Sequence, residues 1–258
     1  MLDALTAGAL EDAATRRESV SYAELERRAL ARPEPIDAYR TLAPTHHVRV
    51  IAEIKRASPS KGSLALIDDA PALAQLYVEG GADAISVVTE ERRFGGTLRD
   101  LYDVRERVAV PLLRKDFNSE EYQILEARAA GADIVLLIVS ALEKSLLERL
   151  HEFSRQLGLT VLVETHTADE VRFASDIGAG LIGVNARNLS TFELDRSLFG
   201  TVRDLIPTDA IAVAESAVSD VADVKAYRAA GADVVLVGEA LVTSGDARAV
   251  VEQFREVS

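Results

Sequence analysis

The sequence predicts an α/β fold, a (β/α)8 TIM barrel with an N-terminal helical extension. Three observations carry that prediction. Eight short apolar runs recur along the chain. A Gly-Ala-Asp or Gly-Ala-Gly triplet stands ahead of alternate runs at a spacing of about 50 residues, roughly two βα units. Most runs end on a charged or polar residue that a buried strand should not hold. An unpartnered buried charge is costly or shifts its pKa, so a set of them at the same end of successive strands marks the catalytic face of a barrel. The runs are continuous in Val, Ile and Leu, as in strands covered on both faces. Eight units within about 210 residues favour closure over an open doubly wound sheet. The open alternative usually carries a Gly-rich turn after its first strand, and no G-x-G-x-x-G is present there.

Residues 1–47 lie outside the repeating pattern. Within them Ser21-x-x-Glu24 reads as a capping box opening a helix, SYAELERRALA, which Pro33 and Pro35 end. This extension is expected to pack near the catalytic end of the barrel. The first strand is Val48 to Lys55, closing on Glu53 and Lys55. Gly81-Ala82-Asp83 precedes the second, Ala84 to Glu90. The third, Pro111 to Asp116, closes on Lys115 and Asp116, and a helical stretch follows from Ser119 to Ala130. Gly131-Ala132-Asp133 precedes the fourth, IVLLIV. The fifth, Thr160 to Thr165, closes on Glu164. Gly178-Ala179-Gly180 precedes the sixth, Leu181 to Arg187, which closes on Asn185 and Arg187. The seventh, Ile211 to Ser216, closes on Glu215 and Ser216. After a helix over Val221 to Ala230, Gly231-Ala232-Asp233 precedes the eighth, VVLVG, which ends at Gly238. Glycine after each helix can take the left-handed conformation that stops it. No linker rich in Gly, Ser or Pro divides the chain. Residues 1–258 are read as one barrel domain, of which 1–47 is the extension.

Composition narrows the function. The formal charge of −13, with no long basic stretch, argues against a nucleic-acid partner. No apolar run approaches the roughly 18 residues of a membrane span, and Asp3 stands where a signal peptide would be basic. A cytoplasmic protein is expected. The chain has no cysteine, which removes disulfides, thiolate metal sites and a cysteine nucleophile. Only five of its 29 basic residues are lysines, yet two of the five, Lys55 and Lys115, fall at strand ends. A lysine can exchange a proton near neutrality when its environment depresses its pKa, and arginine cannot. That points to chemistry at these two.

Glu53 and Lys55 are two apart on a strand and share a face. Alone they read as a structural ion pair. Lys115 and Glu164 at two further strand ends favour convergence on one pocket. Asn185 and Arg187 also share a face, and the arginine either grips an anion with its planar fork or folds over the rim. Glu215 and Ser216, with Gly238, stand where barrels often bind phosphate on the seventh and eighth loops. Ser58-Pro59-Ser60-Lys61-Gly62 is either a plain polar loop or one that closes over an anion. Phe94 and Phe117 are core caps or walls of an aromatic pocket. His46, His47, His151 and His166 show no metal-ligand spacing and are assigned to the surface, with no metal expected.

Several stretches together resemble the indole-3-glycerol phosphate synthase family over nearly the whole chain. They are IAEIKRASPSKG (Ile51 to Gly62), SVVTEERRFGGTLRDL (Ser86 to Leu101), LLRKDF (Leu112 to Phe117), GADIVLLI (Gly131 to Ile138), GVNARNL (Gly183 to Leu189), AES (Ala214 to Ser216) and DVVLVGEALV (Asp233 to Val242). The resemblance implies ring closure of 1-(2-carboxyphenylamino)-1-deoxyribulose 5-phosphate to indole-3-glycerol phosphate, with loss of carbon dioxide and water and without metal or organic cofactor. It implies catalytic roles for Glu53, Lys55, Lys115, Glu164, Asn185 and Glu215. A Lys115 depressed toward neutrality would protonate the carbonyl oxygen, while the division of later acid and base roles among Lys55, Glu53 and Glu164 stays open. It implies substrate contacts from Ser58, Pro59, Phe94, Phe117, Leu136, Leu189 and Leu236, a carboxylate contact from Arg187, and a phosphate site at Ser216, Ala217, Gly238 and Glu239. The partner implied is an anionic phosphorylated small molecule; apart from the resemblance, the acidic composition without an obvious exposed apolar stripe points to a monomer.

Two departures from the family pattern stand out. Ala217 follows Ser216 where a glycine is usual, and Asn118-Ser119-Glu120 follows Phe117 where apolar residues are commoner. Two rivals remain. A phosphoribosyl isomerase barrel would lack this set of lysines and glutamates. A non-catalytic barrel subunit of a tryptophan-pathway assembly has only Ala217 in its favour.

Overall fold

The computed structural model describes residues 1–188 and 191–258. Eight parallel strands close a barrel: β1 (Arg49–Ile54), β2 (Ala84–Val88), β3 (Leu112–Lys115), β4 (Ile134–Ile138), β5 (Thr160–Thr165), β6 (Leu181–Asn185), β7 (Ile211–Glu215) and β8 (Val234–Val237). They pair in chain order, and β1 meets β8 to close the ring. The predicted (β/α)8 barrel is therefore the fold observed. Except for β5, the strands are a residue or two shorter than the apolar runs.

Alternation along each strand splits the core in two. Val50, Ala52 and Ile54, with Ile85, Val87, Val161 and Val163, face the surrounding helices. Ile51, Leu113, Leu136, Leu162, Leu181, Val213 and Leu236 fill the barrel interior. Continuous apolar runs are needed because both faces are buried. The interior set also fixes the direction of the strand ends. Two residues on from Ile51, Leu113, Leu162 and Val213 come Glu53, Lys115, Glu164 and Glu215, so the period of two aims all four into the mouth of the barrel.

The repeated triplets work at the opposite end. Gly81, Gly131, Gly178 and Gly231 all have φ between 73° and 92°, the left-handed conformation that stops the preceding helix. The aspartate of each full triplet then reaches the neighbouring strand. Asp83 accepts from Val50 N at 3.0 Å, Asp133 from Leu112 N at 2.8 Å and Asp233 from Ala212 N at 3.0 Å. Arg49 and Arg105 neutralise Asp83 and Asp133 at 2.7 and 2.8 Å. Where the triplet ends in Gly180 the aspartate is missing and Tyr39 packs close instead.

Three helices precede the barrel: α1 (Leu2–Ser19), α2 (Tyr22–Leu30) and α3 (Ala38–Thr41). Ser21 accepts from Glu24 N and caps α2, but only this half of the expected capping box forms, because the Glu24 carboxylate pairs with Arg27 and Arg28. The extension serves both ends of the barrel rather than the catalytic end alone. Leu5 of α1 reaches the mouth, while at the other end Tyr39 of α3 packs by Gly180 and Ile36, just before α3, donates its N–H to Asp133. The helices after the strands are α4 (Ala70–Glu79), α5 (Leu98–Arg105), α6 (Glu121–Ala129), α7 (Lys144–Gln156), α8 (Ala168–Asp176), α9 (Leu198–Val202) and α10 (Val221–Ala229). After β8 come the short α11 (Glu239–Val242) and then α12 (Ala247–Arg255). Among the described residues no helix is long and apolar enough to cross a membrane.

Beside the mouth, Arg114 points out of β3 and is 1 % exposed. It meets Asp116 at 3.0 Å and Glu126 of α6 at 3.3 Å, and Arg16 of α1 pairs with the same Glu126 at 2.5 Å. Such a charge is tolerated only because every neighbour answers it.

Candidate active site

The strand ends enclose a cavity of about 350 Å³, within the range of small-molecule sites. Glu53, Lys55, Lys115, Glu164, Asn185, Arg187 and Glu215 all line it. So do Ser58, Pro59, Phe94, Phe117, Leu136, Ser216, Ala217, Leu236, Gly238 and Glu239. Leu189 lies outside the described residues.

Lys115 stands at the centre. Its Nζ is 2.5 Å from Glu164 Oε2 and 3.4 Å from Glu215 Oε2. Glu164 Oε1 accepts from Asn185 Nδ2 at 3.1 Å. Asn185 Oδ1 in turn accepts from Ser216 Oγ at 2.8 Å and from Arg187 N at 3.0 Å. One amide therefore ties β5, β6 and β7 together. Across the mouth, Lys55 Nζ pairs with Glu53 Oε1 at 2.7 Å, and Ser86 donates to the other oxygen of Glu53 at 3.3 Å.

The electrostatics correct one expectation. Burial works against the charge on Lys115, but Glu164, Glu215 and Glu53 outweigh it, and its pKa rises above the ordinary lysine range. The depression expected from the family resemblance is therefore not found, because two carboxylates lie within 3.4 Å of the nitrogen. The glutamates divide. Burial disfavours the charge on Glu164, yet Lys115 and His166 hold its pKa well below the usual carboxylate range. Burial first, and then the charge of Glu164, push Glu215 up to about 8. At neutral pH the site thus holds an ammonium, a carboxylate and a carboxylic acid side by side.

Two glycines make room for this packing. A Cβ on Gly238 would stand 2.5 Å from Glu53 Oε1. Gly183, opposite Glu164 in the sheet, carries no side chain where the Glu215 carboxylate lies. The loops after β7 and β8 meet at the rim, where Gly238 opens α11. Ser216 and Ala217 there have φ of 68° and 57°, so the alanine sits in a conformation suited to glycine. Lys61 of the loop after β1 pairs with Glu239 across this rim. Phe94 and Phe117 form a wall with ring centroids 6.3 Å apart. Arg187 lines the cavity, its Nη1 3.4 Å from Phe192 O.

The sequence profile described as indole-3-glycerol phosphate synthase matches residues 2–254. The chain belongs to that family. It is 60% identical over 257 residues to the indole-3-glycerol phosphate synthase of Leifsonia xyli subsp. xyli, covering 100% of this chain and 98% of that one. It is 54% identical to the Mycolicibacterium gilvum protein of the same name over 252 residues, 97% of this chain and 92% of the other. Among solved structures, a thiamine phosphate pyrophosphorylase from Pyrococcus furiosus superimposes with a TM-score of 0.61 at 16% identity. It covers 82% of this chain and 95% of its own, a likeness of fold alone.

Sequence reasoning missed several features of this indole-3-glycerol phosphate synthase family site. Leu5 and Phe192 line the cavity, and neither falls at a strand end. Glu90 turns the loop after β2, accepting from Arg93 N at 2.7 Å and Phe94 N at 2.9 Å, which places the aromatic wall. Asn118, a departure from the family pattern, donates to Leu136 O at 2.9 Å, and Gln123 accepts from Ser119 N and Glu120 N to start α6. The surface assignment fails for two histidines. His151 is buried on its helix. His166 has a side chain only 8% exposed and stands 3.3 Å from Glu164. Its place two residues past a strand-end glutamate was the available signal.

Proposed function

We propose that the chain closes the indole ring of 1-(2-carboxyphenylamino)-1-deoxyribulose 5-phosphate, releasing carbon dioxide and water to give indole-3-glycerol phosphate. One observation carries the reading: in a member of this family, Glu53, Lys55, Lys115, Glu164, Asn185 and Glu215 meet in a single cavity. The ring carbon that bears the carboxylate attacks the ribulose carbonyl, and its oxygen gains charge. The Lys115 ammonium supplies the proton and stabilises that charge in a pocket where fixed charges act strongly. Carbon dioxide leaves and the ring regains aromaticity. Loss of water then needs a proton for the departing hydroxyl and a base for the hydrogen lost from carbon. Glu215 and Glu164, whose environments push their pKa values apart, are suited to opposite halves of that exchange. Arg187 grips the anthranilate carboxylate. The phosphate rests on Ser216 and the backbone N–H groups around Ala217, Gly238 and Glu239, with charge from Lys55. Pro59, Phe94, Phe117 and Leu136 hold the aromatic ring.

The chain has no tryptophan, so product formation is followed by indole fluorescence against a low background. Turnover by the wild type, reduced by orders of magnitude in Lys115→Met, is the expected result. A folded wild type without turnover would favour the non-catalytic subunit. We also assign the protein to the cytoplasm as a monomer, a reading supported by its cysteine-free composition and acidic surface. Gel filtration at the mass of a dimer would overturn the second part.

A further inference from the structure

His166 is not one of the six strand-end residues assigned to the chemistry and does not line their cavity, yet its ring stands directly against one of them, Glu164. Its Nε2 stands 3.3 Å from Glu164 Oε1, and its Nδ1 stands 3.4 Å from Glu170 Oε2 on α8. The same Glu170 oxygen accepts from His166 N at 2.7 Å, so α8 fastens both the backbone and the ring. Ser140, beyond β4, is the remaining neighbour of Nδ1, at 3.5 Å. Beneath the ring runs a second hollow, where Glu193 and Asp195 add two more acidic groups. Lys115 is engaged on the opposite oxygen of Glu164. Carboxylate oxygens thus face both ring nitrogens. A neutral imidazole can donate from only one nitrogen, whereas the imidazolium answers both. Neither carboxylate contact is an aligned hydrogen bond: Nε2 has no hydrogen-bond partner among the described residues and the hydrogen bond at Nδ1 is with Ser140, so both contacts act through charge.

We propose that His166 is a positioning residue for the reaction: as an imidazolium clamped between Glu164 and Glu170, it holds Glu164 with Oε2 toward Lys115 and keeps that carboxylate ionised. The inference rests on the reading of Glu164 as part of the indole-forming site. Burial opposes the charge on His166, but Glu164 and Glu170 outweigh it and raise its pKa to about 9. With His166 neutral or absent, Glu164 and Glu215 would share a proton beside Lys115 alone. The ionisation of Glu164 would then move to higher pH.

Two measurements test this. The first is titration of the histidine side chains by heteronuclear NMR in the whole protein. His166 is expected to titrate near 9 in the wild type and at least about one unit lower in Glu164→Gln. A wild-type midpoint at or below the ordinary histidine value would overturn the clamp. The second is the pH profile of kcat for the wild type and His166→Asn. The variant is expected to lose about tenfold in kcat with KM little changed. Its acid limb, set by ionisation of Glu164, which His166 helps hold low, should move to higher pH. A uniform loss of rate with the limb in place would show a merely structural role and sink the proposal. If the wild type makes no indole product, the functional reading fails by itself, and the NMR midpoint still decides whether the clamp exists.

Discussion

The carboxylate of Glu215 occupies the space where Gly183 would carry its side chain. A Cβ built on Gly183 overlaps Glu215 Oε1 and comes within 3.1 Å of its Cδ. Glu215 is buried, and among the described residues the only space beside its carboxyl is the cavity that it lines. Gly183→Ala should therefore leave the fold intact and displace the carboxyl from Lys115. A shift of about 1 Å costs on the order of 10²-fold in rate, and the loss should fall on kcat. Steady-state kinetics with a melting curve on the same sample checks it. Wild-type kcat in a folded variant would mean that Glu215 is dispensable.

Ala217 sits at a φ of 57° beside Ser216 at 68°. Left-handed backbone costs a non-glycine residue roughly 1–2 kcal/mol, partly offset by the extra freedom glycine gives the unfolded chain. Ala217→Gly should raise the melting temperature by about 2–4 °C and lower KM. A Michaelis constant that is unchanged or higher would show that the strained turn does not limit phosphate binding.

Stability should fall as pH rises from 6.5 to 9. Glu215 and His166 both have folded pKa values raised, to about 8 and about 9. Each holds a proton in the folded state that the unfolded chain has released, so each stabilises at low pH and loses that contribution as pH passes its folded pKa. Lys115 stays charged through the window and adds no slope. Between pH 6.5 and 8 the two groups together should change unfolding free energy by on the order of 1–3 kcal/mol per pH unit. Denaturant titrations across this range measure the slope, and Glu215→Gln should flatten it. A wild type equally stable at both ends would contradict the assigned protonation states.

Arg114 is matched by Asp116 and Glu126 in a place where water does not reach. Removing one partner of a buried pair costs about 3–5 kcal/mol because the other charge is left unanswered. Arg114→Ala should unfold at correspondingly lower denaturant and loosen α1, whose Arg16 shares Glu126. A loss below about 1 kcal/mol would place this network with ordinary surface pairs.

The barrel and the residues at its mouth were legible because one physical rule wrote both. Period-two alternation from Ile51, Leu113, Leu162 and Val213 determines where Glu53, Lys115, Glu164 and Glu215 point. The pKa of Lys115 was not legible, since it depends on distances to Glu164 and Glu215 that arise only when β3, β5 and β7 close the ring. His166 was missed for a related reason. Its partner Glu170 is four residues along on α8, a spacing that says nothing until helix and strand end are folded together. Leu5 was missed because no local pattern announces that a distant helix will lean over the mouth.

The aspartate clamps at Asp83, Asp133 and Asp233 all sit at the end of the barrel remote from the lysines and glutamates. Closure of the ring and conversion of substrate are therefore written into separate sets of residues. Drift in the loops after the strands, as at Ala217 and Asn118, can reshape what the pocket accepts while the clamps go on closing the barrel. For a catalyst under selection, that separation is room to explore new substrates with the scaffold already secured.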